Sequence, residues 1–169
     1  AIELIVAGRA LDLRAPLAPA AGTGAALAAL RTVVDGPGPD RIVSDEIHCD
    51  LVYAGAQHVP VATLSPEVEA RTITLMAPSK TFNLPGLKCS IAIIPNADLR
   101  KRFVEARADL VRVPNILGYT ASLAAYRDGD EWLAELMTYL EGNRDFVARY
   151  VAAELPDMRF CPPEGTYLA

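Results

Sequence analysis

The chain has 169 residues, is 51% hydrophobic and 22% charged, and carries a formal net charge of −5. That describes a globular chain with one core of ordinary size, or one domain and part of another. It excludes a helix spanning a bilayer, since no apolar run approaches ~20 residues, and it argues against nucleic acid, since no basic stripe interleaved with aromatics occurs.

In chain order, Ile2 to Ala7 reads as a short strand. Arg14 to Gly24, rich in Pro, Ala and Gly, reads as loop, and Ala25 to Val34 as a helix with Leu27, Leu30, Val33 and Val34 on one side. Residues 35–40 form a Gly/Pro break. Arg41 to Asp45 is the continuous apolar, β-branched run that a parallel sheet covered on both faces requires. It opens into the polar cluster Glu46, His48, Cys49 and Asp50, then Leu51 to Tyr53 and a turn at Ala54-Gly55.

Ser65-Pro66-Glu67 is a helix start, with serine as cap, proline at the first helical position and an acid in the first turn. Thr72 to Met76 and Ser90 to Ile94 are further strands. Asp98 to Val111 is helical, with Leu99, Phe103, Ala106 and Leu110 on one face. Asn115 to Tyr126 is a second helix. A third begins after Asp128-Gly129-Asp130 and runs to about Leu155, its stripe from Trp132 to Val151 expected to be core. Arg159 to Cys161 could begin a strand, and another starts near Gly165. The alternation predicts an α/β fold with a mostly parallel sheet. The absence of an initiator Met and the ending on a strand entrance suggest a fragment.

Cys49, Cys89 and Cys161 are an odd set without CxxC spacing, as expected of a reduced, cytosolic protein. Cys49 and Cys89 read as buried small hydrophobes. The grouping of His48, Cys49, Asp50 and His58 matches no zinc pattern, so no metal is expected. His58 reads as a loop residue, and Glu46 with Asp50 as structural or solvated.

Only three lysines occur, and two of them, Lys80 and Lys88, lie in the stretch after Thr72–Met76. Lys80 and Asp45 each closely follow the end of a predicted strand. Parallel neighbouring strands would bring both to one edge of the sheet, where open α/β folds bind ligands. An amine and an acid so placed suit pyridoxal phosphate. The plainer reading is a salt bridge or two solvated loop residues.

Ser44-Asp45-Glu46-Ile47-His48-Cys49-Asp50-Leu51, followed by Ser79-Lys80-Thr81-Phe82-Asn83-Leu84-Pro85-Gly86-Leu87-Lys88, resembles the fold type I pyridoxal-phosphate enzymes. The resemblance is to the class I/II aminotransferases, in the branch with the cystathionine β-lyase-like C–S lyases. Asn115-Ile116-Leu117-Gly118, Tyr126 to Leu133, Asn143-Arg144 and Pro163 to Leu168 resemble later landmarks of that family, in order.

The resemblance implies that 1–128 is the later part of the large aspartate-aminotransferase-type domain. Residues 129–169 would be the interdomain helix and the start of a small α+β domain. It implies pyridoxal 5'-phosphate as cofactor, an amino-acid substrate and a homodimeric parent. By the same resemblance Lys80 is the Schiff-base lysine and the proton carrier at the substrate α-carbon. Asp45 pairs with the ring nitrogen, and His48 lies near the 3-oxygen. Ser79 and Lys88 reach the phosphate, Lys88 as a point charge where many members place an arginine. Asn83, Pro85 and Gly86 shape the loop behind Lys80.

The chain departs from the family at residues 15–22, where the prolines keep their spacing but alanines replace both asparagines. Residues 1–40 are thus divergent or a reading-frame artefact. The phosphate loop is expected upstream of Ala1 and the carboxylate-binding arginine beyond Ala169. The expected reaction is β-elimination from a sulfur amino acid such as cystathionine. The alternatives are transamination and a catalytically incomplete fragment.

Overall fold

A computed structural model of the chain describes residues 4–6, 9–11, 41–107 and 114–168. The readings of 14–24, 25–34 and 35–40, the altered 15–22 stretch and the last residues of the 98–111 helix lie outside these. Five strands form one sheet in the order β2-β1-β3-β4-β5: β1 (Leu4–Val6), β2 (Arg9–Leu11), β3 (Ile42–Asp45), β4 (Thr72–Met76) and β5 (Ile91–Ile93).

The expected mostly parallel sheet is corrected. Among the described strands only β3 and β4 run parallel, while β1–β2, β1–β3 and β4–β5 are antiparallel. The segment between β4 and β5 folds into two short helical turns at the edge where β4 ends, so β5 returns along β4 in the opposite direction.

The parallel pair is well buried. Thr72, Ile73 and Thr74 are buried in succession, so β4 is covered on both faces. Val43 aligns with Ile73 on one face. There Ile94 and helix α3 (Ala97–Arg107) close the core with Leu99 and Phe103. Burying one such leucine contributes about 2 kcal/mol. The hydroxyls that β4 buries need partners, and Thr72 Oγ1 donates to the Val68 carbonyl at 2.6 Å. Helix α1 (Pro66–Glu69) starts as the sequence predicts, with Ser65 Oγ accepting from the Val68 amide at 3.3 Å. Edge strand β5 leaves Ile91 and Ile93 exposed.

Pro78 opens a one-turn helix, α2 (Pro78–Thr81). Helix α4 (Ile116–Asp128) is capped by Asn115, whose Oδ1 accepts from the Gly118 amide at 2.9 Å. Asn115 Nδ2 also donates to the Leu87 carbonyl at 3.0 Å, tying α4 to the loop behind Lys80. Gly118 permits that approach, since a Cβ there would lie 2.8 Å from the same carbonyl oxygen.

Helix α5 (Asp130–Glu154) has the predicted extent but buries no residue fully. The stripe expected to be core is only partly covered, with Trp132 44% and Phe146 59% exposed. Residues 159–161 form no strand, and the final segment makes a single bridge, Gly165 to Val52. Among the described residues no helix is long and apolar enough to cross a membrane.

Candidate active site

The parallel register sets Asp45 opposite Leu75, so β3 and β4 deliver their carboxyl ends to the same edge. Asp45 is exposed there. Its Oδ1 accepts from the Ile47 amide at 3.3 Å, which folds the chain into the turn carrying Glu46 to Asp50. Beyond Met76 the backbone stays extended at Ala77, and α2 then carries Lys80 in its last turn. The lysine therefore sits on a helical turn, not in a polar loop. It is half-buried, and among the described residues it makes neither ion pair nor hydrogen bond.

His48 is half-buried and within electrostatic reach of both charges. Desolvation and the nearby Lys80 ammonium hold its pKa below the usual imidazole value, while Asp45 pulls in the opposite direction. Lys80, Asp45 and His48 thus form one cluster at the sheet edge. Ser79 is half-buried beside Lys80. Lys88 is exposed at the end of the 85–87 turn, and no hydrogen bond or ion pair joins it to the other described residues. The loop between them turns through positive φ at Asn83 (54°) and Lys88 (50°), not at Gly86.

Three long-range contacts fix this cluster, and none has a local sequence signal. Thr81, fully buried next to Lys80, donates from Oγ1 to Asp50 Oδ2 at 2.8 Å. That bond couples α2 to the turn holding His48. From the other end of the chain, Thr166 Oγ1 lies 2.8 Å from His48 Nδ1, and the Tyr167 ring is tilted against the imidazole at 5.4 Å. Cys49, beside Asp50, has its thiol pKa pushed up to about 12 by burial and the neighbouring carboxylates, so it is no nucleophile. Among the described residues no group of His, Cys, Asp and Glu could hold a metal.

Glu46 is structural. It is buried, and Oε1 accepts from Ser44 Oγ at 2.9 Å and the Val61 amide at 3.0 Å. Oε2 meets His58 Nε2 at 2.8 Å, so His58 is an anchored loop residue. Burial raises the carboxyl pKa, but the bonds from His58, Val61 and Ser44 outweigh it, and the net value falls below the usual 4.5. A carboxyl with a depressed folded pKa contributes stability above its unfolded value and loses it as pH falls through the folded one. Stability is therefore expected to decline below about pH 4.5. Glu46→Ala, which strands two buried donors, costs about 3 kcal/mol at neutral pH and flattens that acid limb. Urea unfolding across the pH range measures both.

An α/β sheet edge that presents a lysine with no ion pair among the described residues, beside an acid and a histidine, suits a carbonyl-bearing cofactor. The chain belongs to the aminotransferase class I and II family, whose model matches residues 21–169. It is 40% identical over 128 residues to the cystathionine beta-lyase PatB of Bacillus subtilis, covering 75% of this chain and 33% of that protein. It is 29% identical over 126 residues to an aspartate aminotransferase of Geobacillus stearothermophilus, covering 75% of this chain and 32% of that one. The crystal structure of cystalysin from Treponema denticola, which contains pyridoxal 5'-phosphate, matches with a TM-score of 0.70 at 35% identity, over 74% of this chain and 32% of that one. The chain therefore spans about a third of the length of these relatives.

Proposed function

We propose that the chain supplies the lysine-bearing part of a pyridoxal-phosphate C–S lyase, which releases a thiol from a sulfur amino acid such as cystathionine by β-elimination. One observation carries this reading: Asp45 ends β3, Lys80 sits on the helical turn that follows the adjacent parallel strand β4 at the same edge, and no ion pair joins them. A structural salt bridge would have neutralised both. Left apart, the amine and the carboxylate fit a group that carries an aldehyde and a basic ring nitrogen.

In this reading Lys80 holds the aldehyde carbon, Asp45 the ring nitrogen and His48 the 3-oxygen, while Ser79 and Lys88 serve the phosphate. The cofactor, when bound, supplies an electron sink for the substrate's α-carbon. Lys80 moves the α-proton, which requires an amine free of competing ion pairs, as this one is among the described residues. Residues 1–128 would belong to the cofactor domain and 129–169 to the small domain of a homodimeric subunit.

The higher identity to PatB than to the aspartate aminotransferase favours elimination over transamination. Product analysis tests this in a protein of the relatives' length that contains these residues. With cystathionine and no oxo-acid acceptor, thiol and ammonia are expected in equal amounts. Amino transfer that depends on an oxo acid and releases no ammonia would establish transamination instead.

A further inference from the structure

We infer that Thr166 is a positioning residue that sets the tautomer of His48, so that the neutral ring carries its proton on Nε2. The inference rests on the reading of His48 as a donor to the cofactor's 3-oxygen, and it goes beyond that reading by naming what orients the donor.

The starting point is a backbone outlier. Thr166 has φ 63°, a left-handed conformation that a β-branched residue rarely adopts. Such strain persists only where surrounding contacts over-determine it. Three contacts do so here. The Thr166 amide donates to the Leu51 carbonyl at 2.6 Å. The Tyr53 hydroxyl donates to the Thr166 carbonyl at 2.7 Å. Gly165 packs so tightly that a Cβ would lie 2.6 Å from the Leu51 oxygen. Both main-chain groups of Thr166 are thereby spent on the segment just after His48, and its side chain is left to face the imidazole at 2.8 Å.

Thr166 is buried, and its hydroxyl proton needs an acceptor. Among the described residues the one hydrogen-bond partner of Oγ1 is His48 Nδ1. A hydroxyl donating to Nδ1 makes that nitrogen the acceptor, and the neutral ring then carries its proton on Nε2. The neutral ring is the relevant state, because desolvation and Lys80 both disfavour its protonation. The Tyr167 ring, tilted against the imidazole, limits its rotation. Tyr53 is in turn fixed under the Arg144 guanidinium, 4.5 Å from the ring centroid, so the placement of Thr166 depends on α5.

Nitrogen-15 NMR of the His48 ring above neutral pH tests the inference without cofactor or substrate, on the chain and on a protein of the relatives' length. The Nε2–H form is expected to dominate in the wild type and in Thr166→Ser, and to give way to a mixture in Thr166→Val. Thr166→Ala serves if the branched variant disturbs the left-handed backbone. In the loaded enzyme Thr166→Val is expected to lower kcat on the order of tenfold, the usual loss when an orienting hydrogen bond is removed, with KM little changed and with recovery in Thr166→Ser. An Nδ1–H ring in the wild type, or a tautomer indifferent to Thr166, would overturn the inference. A tautomer that responds to Thr166 while kcat does not would leave the positioning intact and refute the role given to His48.

Discussion

In Lys80→Ala, pyridoxal phosphate followed by borohydride is expected to leave no covalent adduct, whereas the wild type is labelled at Lys80. The chain has three lysines, so peptide mapping of the reduced protein has only Lys80, Lys88 and Lys101 to distinguish. Lys80 is half-buried at the sheet edge without a carboxylate partner among the described residues, and Lys88 is exposed beyond the turn. Reaction with an aldehyde depends on a held, accessible amine, which favours Lys80. In a protein of the relatives' length, Lys80→Ala should lower kcat by about 10⁴-fold, the upper end of what a positioned proton-transfer group supplies. Label on Lys88 or Lys101 in place of Lys80 would refute the assignment. A 169-residue chain that folds, as judged by circular dichroism, yet takes no label would favour the catalytically incomplete reading for the chain alone.

Strands β3 and β4 and the start of α1 were legible because their causes are local. β-Branched runs fix the strands, and Ser65-Pro66 fixes the cap with the bond the structure contains. Strand direction was not legible. Ser90 to Ile94 has the same composition whichever way it runs, and what decides is where the two turns at 78–87 return the chain. The stripe of α5 shows the complementary limit: periodicity identifies an apolar face, and coverage depends on what packs against it.

At the site, Asp45 and Lys80 were visible as residues at or closely following strand ends, and the parallel register of β3 and β4 brings those ends to one edge. The contacts that hold the cluster were not visible. Thr81 to Asp50 spans 31 positions and Thr166 to His48 spans 118, and short polar side chains at such separations carry no periodic signal. The resemblance drew attention to Gly165-Thr166-Tyr167, but only the fold shows that its hydroxyl meets the imidazole.

Asp45→Ala is expected to separate cofactor attachment from turnover. Asp45 is exposed at the end of β3, and among the described residues its one hydrogen bond is from the Ile47 amide at 3.3 Å. Removing so lightly used a carboxylate should leave the sheet intact, since the ladder to β4 is built from backbone and from buried Ile42 and Ser44. Lys80 keeps its place on α2, which is tethered through Thr81 to Asp50 and not through Asp45. Borohydride labelling of Lys80 should therefore persist in the variant. Catalysis should not, because a carboxylate fixed where positive charge must be held is worth more in the transition state than in the resting protein. A fall in kcat of about 10²–10³-fold, the scale of losing one preorganised electrostatic partner, is expected in a protein of the relatives' length. Asp45→Asn should fall similarly, because an amide keeps the shape and lacks the charge, while Asp45→Glu should recover part of the loss. The absorption spectrum of the labelled protein and kcat on cystathionine measure the two halves independently. Unchanged turnover in Asp45→Ala would remove the acid from the site and leave Lys80 alone to account for the chemistry.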